Sequence, residues 1–264
     1  MKKTAFGLFA AITVLLMIWG FYQAIYVAPV DAMQGEVYRI IFYHVPSASV
    51  AFLFFALNLI GSIWFLTAHY VRWEQGLLGG VSFPAPLGFV MRTRWKLGAW
   101  MLGSGREQAA DALAVASAEV GVVFCTIVLL TGPLWARRAW GIWWTWDARL
   151  TTTLVLWLIY VSYLLLRRFA AGPQMQTLAA VLGIFGALDV PIVYMSNRWW
   201  RTQHPAPVFG GDSDAGMDPA MVHPFLWNML AWLVWGLLIL VLRYFVERKS
   251  QKYAAQQAQE ALNA

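Results

Sequence analysis

Residues 140–168 read "WGIWWTWDARLTTTLVLWLIYVSYLLLRR". Four tryptophans fall in the first seven positions, followed by Asp147 and Arg149. An apolar run then continues to Leu166 and stops at Arg167-Arg168. A helix needs roughly 20 apolar residues to cross a hydrocarbon core of about 30 Å. The run from Ala148 to Leu166 is long enough, and the aromatic cluster sits at one mouth of it. Tryptophan in that position is either an interfacial anchor or a platform for a flat ligand.

Five further runs of the same kind flank this one: Ala5–Val27, Val50–Tyr70, Ala112–Leu134, Thr177–Met195 and Phe225–Val246. The composition agrees with six spans. The chain is 60% hydrophobic and 12% charged, whereas soluble domains run about 45–50% apolar and about 25% charged. The expected fold is an all-α integral membrane protein with six transmembrane helices. Residues 1–249 form one domain, and 250–264 form an Ala/Gln-rich tail. The opening Met-Lys-Lys resembles a signal peptide, but its apolar stretch is long and no small-x-small cleavage site follows. It is read as an uncleaved first span. A net charge of +6 lies beside hydrophobic runs, which points to lipid and not to nucleic acid. The single cysteine, Cys125, excludes a disulfide framework, a C-x-x-C pair and covalent C-x-x-C-H haem attachment within the chain.

Positive charge orients the spans. With the N-terminus inside, 13 of the 19 Lys and Arg face the cytoplasm, leaving Arg39, Arg137, Arg138, Arg149, Arg198 and Arg201 outside. Both termini are therefore expected in the cytoplasm. Segments 28–47, 135–147 and 196–224 share the outer face. The inner segment 71–111 carries a basic aromatic patch, "MRTRWKLGAW", suited to an anionic lipid surface.

Three of the four histidines belong to the outer face. His44 stands in "FYHVPSA", His204 in "NRWWRTQHPAP" and His223 in "VHPF". His69 lies at the inner end of the second span and reads as an interfacial residue. Proline after His204 and His223 holds each preceding residue extended. Pro46 can open the second helix, so that His44 hangs from a fixed helix entrance. Trp140, Trp143 and Trp144 are spaced i, i+3 and i+4, which on a helix makes one aromatic face. Asp147 is placed to cap the following helix. Imidazoles, an indole shelf and outward cations together suit haem, which is flat, takes axial imidazole and ends in carboxylates. Arg149, Arg198 or Arg201 could supply a bidentate fork to such carboxylates. Within the spans, Glu119 and Asp189 are the acidic candidates.

"WGIWWTWDARLT" resembles the WWD signature of haem-handling membrane proteins. Length and histidine count resemble the cytochrome c maturation protein C (CcmC) family within that group. "YRIIFYHVPSA", "TGPLWARRAWGIWWTWDARLT", "VPIVYMSNRWWRTQH" and "MDPAM" carry the likeness, from about Gln34 to Arg248. Arg137-Arg138 departs from it, standing where that family tends to have Gly, Lys and Pro. The resemblance implies a multi-pass protein of the bacterial inner membrane that presents haem b (iron protoporphyrin IX) in the periplasm. It implies bis-His ligation by His44 and His204, with the WWD segment 135–152, Trp140, Trp143, Trp144, Trp146 and Asp147 included, as the haem and chaperone contact. Arg149 and Arg201 are carried as further haem-contact candidates, and His223 stays a third imidazole on physical grounds alone. The implied partners are the haem chaperone CcmE, the small protein CcmD and the CcmA–CcmB ABC transporter. The expectation is a haem-handling scaffold at which haem becomes covalently attached to its chaperone, with no catalytic residue assigned. The alternatives are a haem permease and a b-type electron-transfer cytochrome. Paired histidines buried in mid-span would mark the latter, and none is found.

Overall fold

In the computed structural model, which describes residues 3–78, 84–87, 89–91, 93, 96, 105–170, 172, 174–205 and 217–263, helices account for most of these residues. They are α1 (Lys3–Tyr22), α2 (Ile41–Leu78), α3 (Arg106–Ala139), α4 (Ala148–Phe169), α5 (Met175–Trp199) and α6 (Pro219–Asn263). No strand occurs among the described residues. Six helices are long and apolar enough to cross a membrane, as the apolar runs predict, and the protein is a multi-pass membrane protein. The 22 residues of α4 span roughly 33 Å at about 1.5 Å per residue. Most of the basic aromatic patch at 91–100 lies outside the described residues.

Successive helices run in opposite directions, and their contacts sort the helix ends into two layers. At one end, the close of α1 and the starts of α2 and α6 share an apolar cluster of Ala24, Ala28, Phe42, Met221 and Phe225. His44 in α2 meets Thr131 near the close of α3, and Arg149 in α4 meets Val193 in α5. At the other end, Asp111 in α3 accepts from both terminal nitrogens of Arg167 in α4, at 2.6 and 3.0 Å. It also accepts from Gln176 in α5 and Gln251 in α6, each at 3.0 Å. Lys3 and Asn263 both lie on the Asp111 side.

Small residues let the backbones close up where lipid provides no hydrophobic drive between helices. A methyl group at Gly61 of α2 would stand 2.9 Å from the Ala114 backbone nitrogen of α3. At Gly121 it would run into the Phe55 ring. Phe55 in turn stacks on Tyr160 of α4, with centroids 3.9 Å apart. Buried polar groups are paired across helices: Asn58 donates to the Ala114 carbonyl at 2.8 Å, and Tyr160 to the Gly183 carbonyl at 3.1 Å. Glu119 accepts from Arg243 at 2.7 Å. Asp189 is buried, and one of its carboxylate oxygens has no hydrogen-bond partner among the described residues. His69 stacks on Phe65 and meets Glu107 at 3.2 Å.

The prolines depart from expectation. Pro46 does not open α2, which starts at Ile41 and is preceded by a 3-10 turn at Glu36–Ile40. His44 is thus helical. His223 is helical too, because α6 begins at Pro219 and carries Pro224 inside it. Both prolines fall in the second turn, where only one backbone bond is forfeited. Neighbouring polar groups take up carbonyls there: Ser47 donates to the Tyr43 carbonyl at 2.6 Å, and Asn228 to the Pro224 carbonyl at 2.9 Å. At its far end α6 continues unbroken through the tail to Asn263.

Candidate functional site

The layer opposite Asp111 brings two histidines together. The rings of His44 and His204 lie with centroids 6.4 Å apart and planes 33° apart. Each ring is held through Nδ1. His44 Nδ1 is 2.8 Å from the Thr131 hydroxyl, and His204 Nδ1 is 2.9 Å from the Pro205 carbonyl oxygen. That leaves Nε2 of each ring available. A metal–imidazole bond is about 2 Å long, so a 6.4 Å separation of centroids can admit one metal atom between the two nitrogens. His223 is not part of this pair. It accepts from Trp227 at 3.3 Å on the exposed flank of α6.

His44 stands on α2, but His204 stands on the segment after α5 and needs a frame. Asp147 provides it. One carboxylate oxygen accepts from the Leu150 amide at 2.9 Å, capping α4. The other accepts from the Thr202 hydroxyl at 2.7 Å and the Gln203 amide at 3.3 Å. The Thr202 oxygen in turn accepts from the His204 amide at 3.0 Å. Asn197, in the last turns of α5, donates to the Pro205 carbonyl at 2.7 Å. Arg149 donates to the carbonyls of Val193 and Tyr194 at 2.9 and 3.2 Å, tying α4 to α5 below the histidines. Arg201 is exposed beside Thr202. Burial and the Arg149 guanidinium push the His204 imidazole down to about 4, against the Pro205 carbonyl and Asp147, which pull it up. The ring is therefore neutral at physiological pH, the form that binds metal.

The tryptophans do not form one helical face. α3 ends at Ala139, and Gly141 takes a left-handed φ of +78° directly after the cap residue Trp140, the usual glycine stop of a helix. Residues 141–147 are then irregular. Trp140 packs edge-on against Trp135, with centroids 5.0 Å apart, and Trp143 is exposed. Trp144 and Trp146 meet edge-on at 5.7 Å. With Leu129, Pro133 and Leu154 they line a shallow, open apolar depression. The indole N–H of Trp144 is buried without a partner among the described residues.

The donor set favours iron that already carries its own equatorial ligands. Among the described residues no three His, Cys, Asp or Glu side chains gather into a metal cage. A bare ion such as zinc takes four ligands, whereas haem iron asks the protein only for axial ones. Two imidazoles 6.4 Å apart suit that demand. Thr131, Thr202 and Asn197 complete the arrangement, and no spacing in the sequence marks them.

Known proteins point the same way. Residues 1–77 and 81–259 match the profile of a family described as Heme exporter protein C. A Bradyrhizobium diazoefficiens protein named Heme exporter protein C is 36% identical over 221 residues, covering 82% of this chain and 68% of its own. Its Escherichia coli K12 namesake is 31% identical over 237 residues, covering 89% and 79%. The Paracoccus denitrificans one is 29% identical over 255 residues, covering 95% and 88%. With its six spans and its profile match along nearly the whole length, the chain belongs to the Heme exporter protein C family.

Proposed function

We propose that this protein handles haem in cytochrome c biogenesis, holding the iron between His44 and His204 and presenting it for transfer to the chaperone CcmE. The single observation that carries the reading is the pair of imidazoles 6.4 Å apart, each with Nε2 available. The names of its relatives support the cargo. Trp144 and Trp146 would keep one porphyrin edge dry, while Arg201, exposed beside the clamp, is free to meet a propionate. The Lys and Arg asymmetry argues that the histidine layer faces the periplasm of a bacterial inner membrane and that both termini are cytoplasmic. CcmD and the CcmA–CcmB transporter are the further partners of this reading.

Haem supplies the iron and the vinyl groups; the protein supplies orientation and exclusion of water. His44 sits on a rigid helix, and His204 on a segment whose hold depends on Asp147 and Asn197. The clamp can therefore open on one side. Purified in detergent with haem, the protein should show the absorption spectrum of six-coordinate bis-imidazole iron and should retain CcmE. His44→Ala and His204→Ala should each abolish that spectrum. If both variants keep it, the clamp is wrong.

A further inference from the structure

The Thr131 hydroxyl of α3 lies between two oxygen- or nitrogen-bearing neighbours. It is 2.7 Å from the Ile127 carbonyl oxygen and 2.8 Å from His44 Nδ1. Two oxygens at that distance have a proton between them, and a carbonyl has none to give. Thr131 therefore donates to Ile127, one turn back, as helical threonines do. Its only proton is then used, and towards His44 it can only accept. Nδ1 of His44 must carry the hydrogen, and the lone pair is left on Nε2.

Neighbouring groups make this seat rigid. Thr131 is β-branched and back-bonded, which restricts its χ1. Gly132 beside it exposes bare backbone to the ring: a methyl group there would stand 3.4 Å from His44 Cε1. α3 thus offers His44 one hydroxyl acceptor at Nδ1 and a glycine beside Cε1. The Pro205 carbonyl plays the same accepting part for His204.

We infer that Thr131 is the positioning residue of the clamp, fixing the tautomer and direction of His44 so that Nε2 faces the iron as a ready ligand. This rests on the haem reading for what the nitrogen binds, while the tautomer itself does not. Such outer partners orient imidazole and raise its basicity, and losing one typically costs about 10–100-fold in metal affinity.

The test begins on the haem-free protein in detergent micelles, with 15N-labelled histidine. His44 should carry its proton on Nδ1 in the wild type, and an Nε2–H signature there would overturn the inference without any variant. Thr131→Val should mix the tautomers, weaken haem by about 10–100-fold and move the midpoint potential positive, because a less basic imidazole stabilises ferric iron less. Thr131→Ser, which keeps the hydroxyl, should restore all three. A Thr131→Val protein that melts normally yet keeps wild-type tautomer or wild-type affinity would also refute it. His44→Ala separates the two claims. If it leaves the haem spectrum unchanged, the clamp itself fails; if it abolishes the spectrum while Thr131→Val binds as the wild type does, only the role of Thr131 fails.

Discussion

His204 enters the site neutral, and that has a pH consequence. Its imidazole titrates at about 4 in the folded protein against an ordinary value of 6.5, chiefly through burial. Between those values the unfolded chain takes up a proton that the folded site refuses. Stability therefore declines as pH falls from about 6.5 towards 4. The ring stays competent to bind iron through most of that interval. We expect the bis-imidazole spectrum to survive at pH 5.5 while the melting temperature falls. Loss of the spectrum centred near 6.5 would contradict the buried placement. At this scale the chemistry was legible where it rests on residue type. His44, His204 and Asp147 stand in short motifs that bring them to attention. Thr131 and Thr202 lie inside the same stretches yet carry no signal of their own, because each acts on a group 87 or 55 positions away in the chain.

Asp147 belongs to two elements at once. As the cap of α4 it accepts the Leu150 amide, and as the tie for the His204 segment it accepts Thr202. Removing a cap costs about 0.5–2 kcal/mol. Asp147→Ala should lower the melting temperature by that route and also quicken haem dissociation. Asp147→Asn should recover the cap but hold the segment less firmly. Stopped-flow transfer to apomyoglobin separates the two effects, and equal dissociation rates in all three proteins would remove Asp147 from the frame. The elements were readable as apolar runs, though their ends were not. α2 and α3 extend past the expected spans on polar turns that periodicity does not weigh. The i, i+3, i+4 spacing of Trp140, Trp143 and Trp144 suggested a continuing helix, which in the structure ends before Gly141. Backbone geometry at one glycine outranks the spacing of three indoles.

Across the molecule, the two layers are held by different forces. Opposite the histidines, Arg167 and Asp111 are 9% and 3% exposed and pair through two nitrogens, with Gln176 and Gln251 completing the carboxylate. Breaking such a pair by removing one partner costs about 3–5 kcal/mol. Arg167→Ala should unfold at markedly lower temperature in detergent, while the haem spectrum of the protein that remains folded stays unchanged. A spectral change would mean that the layers are coupled. The Asp111 layer draws α3, α4, α5 and α6 to one point, so the bundle is anchored at the end remote from His44 and His204. His44 rides on that anchored body, but His204 rides on a short tether stitched by a few hydrogen bonds. On the proposed reading, release of haem would need only the His204 segment to move. Its pace would then be set by the hydrogen bonds at Asp147 and Asn197 and not by the packing of the helices.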